Sequence, residues 1–115
     1  MKPHFSPAVA AGPLLFLSGA LGFDEDGVLP DGVEAQTGRC LDNLAAVLAA
    51  RGLGPGDIVK TTVWLTDKAD YPGFNKAYAA WFGTRAPARS TTIAGLAADG
   101  ALVEIEAVAC RREEA

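Results

Sequence analysis

The sequence predicts an α+β (mixed α/β) fold with a mixed sheet, and three observations carry that reading. Apolar residues recur at helical spacing in two stretches, 33–52 and 70–83. Short apolar or alternating runs typical of strands occupy 14–18, 57–67, about 90–96 and 102–111. Their order is strand, helix, strand, helix, strand, strand, in a chain whose 115 residues suit one domain, 1–115.

The first element, LLFLS at 14–18, is an apolar run closed by Gly19 and reads as a buried strand. FDEDGVLPDG follows as a turn-rich loop, with a hairpin expected around Asp26-Gly27. In the first helix Cys40, Leu41, Leu44, Val47 and Leu48 form one apolar stripe. Asp31 and Glu34 have capping-box spacing at its start, and Gly52 ends it with a residue able to turn left-handed. In DIVKTTVWLTD, alternation sets Val59, Thr61, Val63 and Leu65 on one face and Ile58, Lys60, Thr62 and Trp64 on the other. The second helix gathers Phe74, Ala77, Tyr78, Trp81 and Phe82 on one side, with Asp70 as its expected cap and Gly83 as its stop.

The last strand alternates too. Val103, Ile105, Ala107 and Ala109 face one way, and Leu102, Glu104, Glu106, Val108 and Cys110 the other. Two helices cover only one face of such a sheet, so apolar residues on the second face require a partner, most simply another copy of the chain. A homo-oligomer is expected.

Composition narrows the function. Half of the residues are apolar and 21% are charged, as in soluble globular proteins. A formal net charge of −4, with no basic stripe and with Arg111-Arg112 followed at once by Glu113-Glu114, argues against a nucleic-acid partner. The only histidine, His4, leaves no His-based triad or zinc site. Cys40 and Cys110 have no metal-ligand spacing and read as buried thiols. The opening MKPHFSPAVAAGPLLFLSGA is broken by Pro7 and Pro13 and is a poor secretion signal, and no segment reaches membrane-spanning length. A cytoplasmic protein without membrane or metal is expected.

Three further features have plain structural explanations. Trp64, Trp81, Phe74 and Tyr78 read as core rather than as a base-stacking platform. The glycines of GLGPG, 52–56, follow a helix and lead into a strand, whereas a phosphate cradle opens a helix. Asp24, Glu25 and Asp26 read as solvated surface.

The candidate chemistry lies in Arg89 and Glu104. Arg89 heads a strand after the Pro87-Ala88 turn, and an arginine placed there either turns its guanidinium back to solvent or meets an anion. Were the last two strands a hairpin, Arg89 and Glu104 would come close. A partly desolvated Glu104 would hold its proton to higher pH and serve as an acid-base group, and the guanidinium fork matches a carboxylate or phosphate. The competing reading is an interfacial ion pair, with Glu106 an equally good partner, and residue physics by itself ranks that reading first.

GPLLFLSG, EAQTGRCLDNLAAVLAARGLGPGDIVKTTVWLTD, FNKAYAAWF, PARSTT and VEIEAVA, in this order, resemble the RidA/YjgF family of enamine/imine deaminases over nearly the whole chain. PARS followed by EIEAVA is the most specific part. The resemblance implies a chorismate-mutase-like fold, with two helices on one face of the sheet and three copies closing into a barrel. It implies hydrolysis of 2-imino acids to 2-keto acids and ammonia without metal or organic cofactor. By the same resemblance Arg89 grips the substrate carboxylate and Glu104 positions or activates water. Thr91 would contribute backbone groups, Ser18 and Gly19 a pocket wall, and Asn75 a helix residue near the cleft.

Departures from the family pattern are Ala8 where the resemblance expects a pocket tyrosine, Ala20 in place of a glutamine, and a short loop before PARS. They favour, as an alternative, a non-catalytic module of the same fold that captures a small carboxylate. A ribonuclease is the weakest reading, given the acidic balance and the lack of a histidine pair.

Overall fold

A computed structural model describes residues 3–112. Five strands and two main helices run in the order β1 (Ala8–Ala11), β2 (Leu14–Ala20), α1 (Val33–Ala49), β3 (Ile58–Leu65), α2 (Tyr71–Phe82), β4 (Ala88–Ile93) and β5 (Val103–Cys110). The sheet order is β1-β2-β5-β3-β4. Only β3 and β4 are parallel, joined by the α2 crossover, and every other neighbour is antiparallel.

Both helices pack on one face. Leu41, Leu44 and Leu48 of α1 and Phe74, Tyr78 and Phe82 of α2 bury against Val63, Leu65, Val103, Ile105, Ala107, Leu15 and Leu17. The alternation read from β5 holds: Val103, Ile105, Ala107 and Ala109 are buried, and Glu104, Glu106, Val108 and Cys110 are half-buried on the other face. That second face also carries Val9 and Phe16, 57% and 45% exposed. The pairings Val9–Phe16 and Phe16–Val108 make one apolar row of them.

Several local expectations are corrected. SPAVAAG contains a strand of its own, β1, which turns back through Gly12 (φ +60°) to pair with β2. Its alternation is hidden because only Ala8 of the four residues is buried. No capping box forms at α1: Gly32 is the cap, without a side-chain bond, and Glu34 lies 3.7 Å from Lys76 instead. Asp70 makes no cap bond at α2 either, because the short 3-10 turn Lys68–Asp70 leads straight into the helix. Asp26-Gly27 does form a tight turn, with Asp24 N–H donating to Val28 O at 2.9 Å, but no strands flank it.

In β3 a bulge between Ile58 and Lys60 resets the alternation, so Ile58 joins the buried face and Val59 is exposed. Trp64 belongs to the uncovered face, not to the core. Cys110 is half-buried on that face, and only Cys40 is a core thiol. The β4–β5 hairpin that would bring Arg89 and Glu104 close does not form, since β3 lies between the two strands. Glu113 and Glu114 lie outside the described residues.

Candidate functional site

The six residues singled out from the sequence fall into two groups, one on each face of the sheet. Arg89 pairs across the parallel ladder with Thr61, which is fully buried and shares a 2.7 Å hydrogen bond with the Tyr78 hydroxyl. Residues paired across a ladder point the same way, so Arg89 rises on the helix-covered side. There it donates from Nη2 to Asn75 Oδ1 at 2.9 Å and to Tyr71 Oη at 3.1 Å. Its guanidinium carbon lies 4.9 Å from the centre of the Tyr78 ring and 5.1 Å from that of Phe74.

Neutral partners therefore hold this cation. The ion pairs among the described residues, Arg39–Glu25 and Lys76–Glu34, do not involve it. Two positions along β4, Thr91 has a buried hydroxyl oxygen with no hydrogen-bond partner. Thr91 pairs with fully buried Val63, so it stands on the same face as Arg89.

The other group lies across the sheet. Glu104 pairs with Trp64 on the uncovered face. Between Leu17 and Ala20 two residues of β2, Ser18 and Gly19, span the space of one residue of β5, Glu106. Such a bulge re-aims backbone and side chains where a sheet builds a site. Gly19 makes room for the Glu104 carboxylate: a Cβ there would overlap it and force that side chain to move. The Ser18 hydroxyl donates to Ser6 O at 2.6 Å and ties down the N-terminal segment.

Two adjoining hollows result, of about 290 and 320 Å³, sharing Gly19, Glu104 and Glu106. Trp64 and the 94–97 loop wall one, and Phe5 and Ser18 wall the other. Burial raises the Glu104 carboxyl above its ordinary value, and the neighbouring Glu106 charge adds to the rise.

The aromatic ring at this hollow is Phe5. Ala8, which the resemblance put in the place of a pocket tyrosine, is buried opposite Leu17 and lines not this hollow but another, beside Ala46, Val47 and Ala50 of α1 and its end. Phe5 supplies a ring without a hydroxyl. Sequence reasoning also missed Tyr71 and left Glu106 as an alternative ion-pair partner. The signal for Tyr71 was its spacing: it lies four residues before Asn75, so both share one helix face.

A larger hollow, about 420 Å³, lies outside α1 between Asp24 and Asp42. Its arginine, Arg39, is already paired with Glu25 at 2.7 Å, and Asp42 accepts the Trp81 indole N–H. Among the described residues no three His, Cys, Asp or Glu side chains converge as metal ligands, and no helix is long and apolar enough to cross a membrane.

The family model described as Endoribonuclease L-PSP matches residues 2–111. The chain is 40% identical over 107 residues to the chloroplastic Reactive Intermediate Deaminase A of Arabidopsis thaliana, covering 91% of this chain and 57% of that protein. It is also 40% identical over 108 residues to the RutC family protein UK114 of Drosophila melanogaster, covering 91% and 78%.

The chain belongs to the RidA/YjgF family.

Among solved members, the YjgF gene product of E. coli superposes with a TM-score of 0.88 at 37% identity, over 94% of this chain and 88% of that one. E. coli TdcF with bound serine gives 0.90 at 32% identity, over 97% and 91%. The fold expected from the resemblance is that of these RidA/YjgF relatives, a five-stranded mixed sheet with two helices.

Proposed function

We propose that this chain is an imine deaminase that hydrolyses 2-imino acids to 2-keto acids and ammonia, at sites completed between copies of a homotrimer. One observation carries the reading: Arg89 is fixed in place by neutral groups and keeps its full charge for a ligand. Arg89 and Glu104 stand on opposite faces of one sheet, so a single chain cannot bring them to one substrate. A second copy laid on the uncovered apolar face offers its own Arg89 edge to Glu104. The same step covers Val9 and Phe16.

The chemistry asks little of the protein. Arg89 holds the carboxylate while water attacks C2 of the protonated imine and Glu104 takes the proton that the water loses. The resulting carbinolamine has both oxygen and nitrogen on C2. Glu104 returns the proton to nitrogen, then takes the hydroxyl proton as the C2–N bond breaks and C2=O forms; ammonia accepts that proton from Glu104 and leaves as ammonium. Positioning and one acid-base group, worth roughly 10²–10⁴-fold for the latter, are sufficient. A lining that combines a guanidinium, carboxylates and hydroxyls suits such a small polar substrate. TdcF, a relative of the same fold, binds serine, which is also small and carries a carboxylate. A cytoplasmic setting fits two free cysteines.

A second reading rests on Phe5. A ring without a hydroxyl at the Glu104 hollow removes one polar group from the site, which favours a trimer that binds a small carboxylate without turning it over. The two readings separate in one assay. An amino-acid oxidase generates 2-iminopropionate in the presence of a trapping nucleophile, and trapped imine is followed with and without the protein. Deamination predicts faster imine loss, reduced at least about tenfold in Arg89→Ala. No acceleration by the wild-type protein, or equal acceleration by Arg89→Ala, ends the deaminase reading.

A further inference from the structure

The Tyr71 hydroxyl has a free proton beside the unneutralised guanidinium. We propose that Tyr71 is a substrate-binding residue whose O–H donates to the same carboxylate that Arg89 holds. The inference rests on the reading of Arg89 as a carboxylate site and adds a donor to it.

Hydrogen-bond accounting leads to this assignment. A guanidinium only donates, so in the 3.1 Å contact with Arg89 Nη2 the Tyr71 oxygen is the acceptor. Its own proton then remains to be given, and no described residue accepts it. Tyr71 is 41% exposed at the first position of α2, so its hydroxyl is open to a ligand.

Arg89 itself needs the help. Its Nη2 carries two hydrogens and faces two acceptors, Tyr71 Oη at 3.1 Å and Asn75 Oδ1 at 2.9 Å. Each two-pronged edge of a guanidinium, Nη1 with Nη2 or Nε with Nη2, includes Nη2. With Nη2 occupied, neither edge can grip both oxygens of a carboxylate. One oxygen takes a hydrogen from Nη1, and the other must find a donor elsewhere. The Tyr71 O–H, whose oxygen lies 3.1 Å from Nη2, is placed to be that donor. The guanidinium is held rigid by the Phe74 and Tyr78 rings beneath it, so the arrangement is set before the ligand arrives.

The competing role for Tyr71 is a tether or plug that merely occupies Nη2, and two variants separate the roles. Tyr71→Phe removes both the acceptor and the donor. Tyr71→O-methyltyrosine keeps the oxygen that accepts from Arg89 and replaces its proton with a methyl group that cannot donate. Calorimetric titration with pyruvate or 2-ketobutyrate is expected to show about tenfold weaker binding in both variants, with no change in melting temperature. Wild-type affinity in the O-methyl variant makes Tyr71 a tether and overturns the proposal. Unchanged or tighter binding in Tyr71→Phe, as the unblocked guanidinium edge would give, overturns it as well. If the wild-type protein binds neither keto acid, the carboxylate reading of Arg89 has failed instead.

Discussion

Glu104 and Glu106 stand two residues apart on the same face of β5, with the Ser18–Gly19 bulge opposite. Burial pushes the Glu104 carboxyl up, and the Glu106 charge pushes it further. If Glu104 is the base for water, turnover falls as pH drops through its pKa. Glu106→Gln removes a neighbouring negative charge, lowers that pKa, and should move the acid limb of the kcat/KM profile to lower pH. A limb that stays put or moves upward contradicts this role. Gly19→Ala places a methyl group where the Glu104 carboxylate sits. Turnover in that variant should fall by at least about tenfold, in the range of losing a positioned acid-base group, while the melting temperature changes little. The test is to measure both on one sample. Ser18, Gly19 and Glu104 could be singled out from the sequence because they fall in contiguous motifs. Phe5 could not, because its role depends on which segment the fold brings beside the hollow, and the spacing of Tyr71 from Asn75 placed it on a helix face without showing that Arg89 would meet it.

At the level of elements, buried Gln36 on α1 ties two loops to the start of β5. Its Nε2 donates to Pro30 O and to Gly100 O, each at 3.1 Å, and its Oε1 accepts from Leu102 N–H at 2.8 Å. Gln36→Ala leaves three backbone groups without partners and should cost about 2–3 kcal/mol in denaturant unfolding. It should also loosen the strand that carries Glu104. Cys40 on the same helix has its thiol pushed up to about 12, first by burial and then by the Glu104 charge. The unfolded chain releases that proton near 9.0, and the native state keeps it until about 12. The native state thus binds more protons across that window, so its stability falls as pH rises through it. Cys40→Ala should show a shallower fall than wild type between these values in urea titrations. An unchanged slope would mean that the native thiol is not shielded. Both helices were legible from their apolar stripes, and β5 from strict alternation. The β4–β5 hairpin was the misreading, because Asp99-Gly100 gives a local turn signal while strand partnership is decided by the α2 crossover that places β3 between them.

Across the whole molecule, the sheet separates the charged halves of the proposed site and leaves an apolar row, Val9, Phe16 and Val108, on the face without helices. Both facts are met by the same assembly. Sedimentation should give a mass of three chains, and Phe16→Asp, which puts a charge in that row, should shift it toward the monomer and abolish turnover together. The apolar second face was legible from the alternation of β5, whereas the placing of Arg89 and Glu104 on opposite faces was not, because it depends on strand order. Complementation tests that division most directly. Arg89→Ala and Glu104→Gln chains, each inactive alone, are refolded together in equal amounts. Random assembly joins an intact Arg89 from one variant to an intact Glu104 from the other, and the account predicts recovery of roughly a quarter of wild-type imine hydrolysis. Mixed trimers that form but remain as inactive as their parents would contradict it.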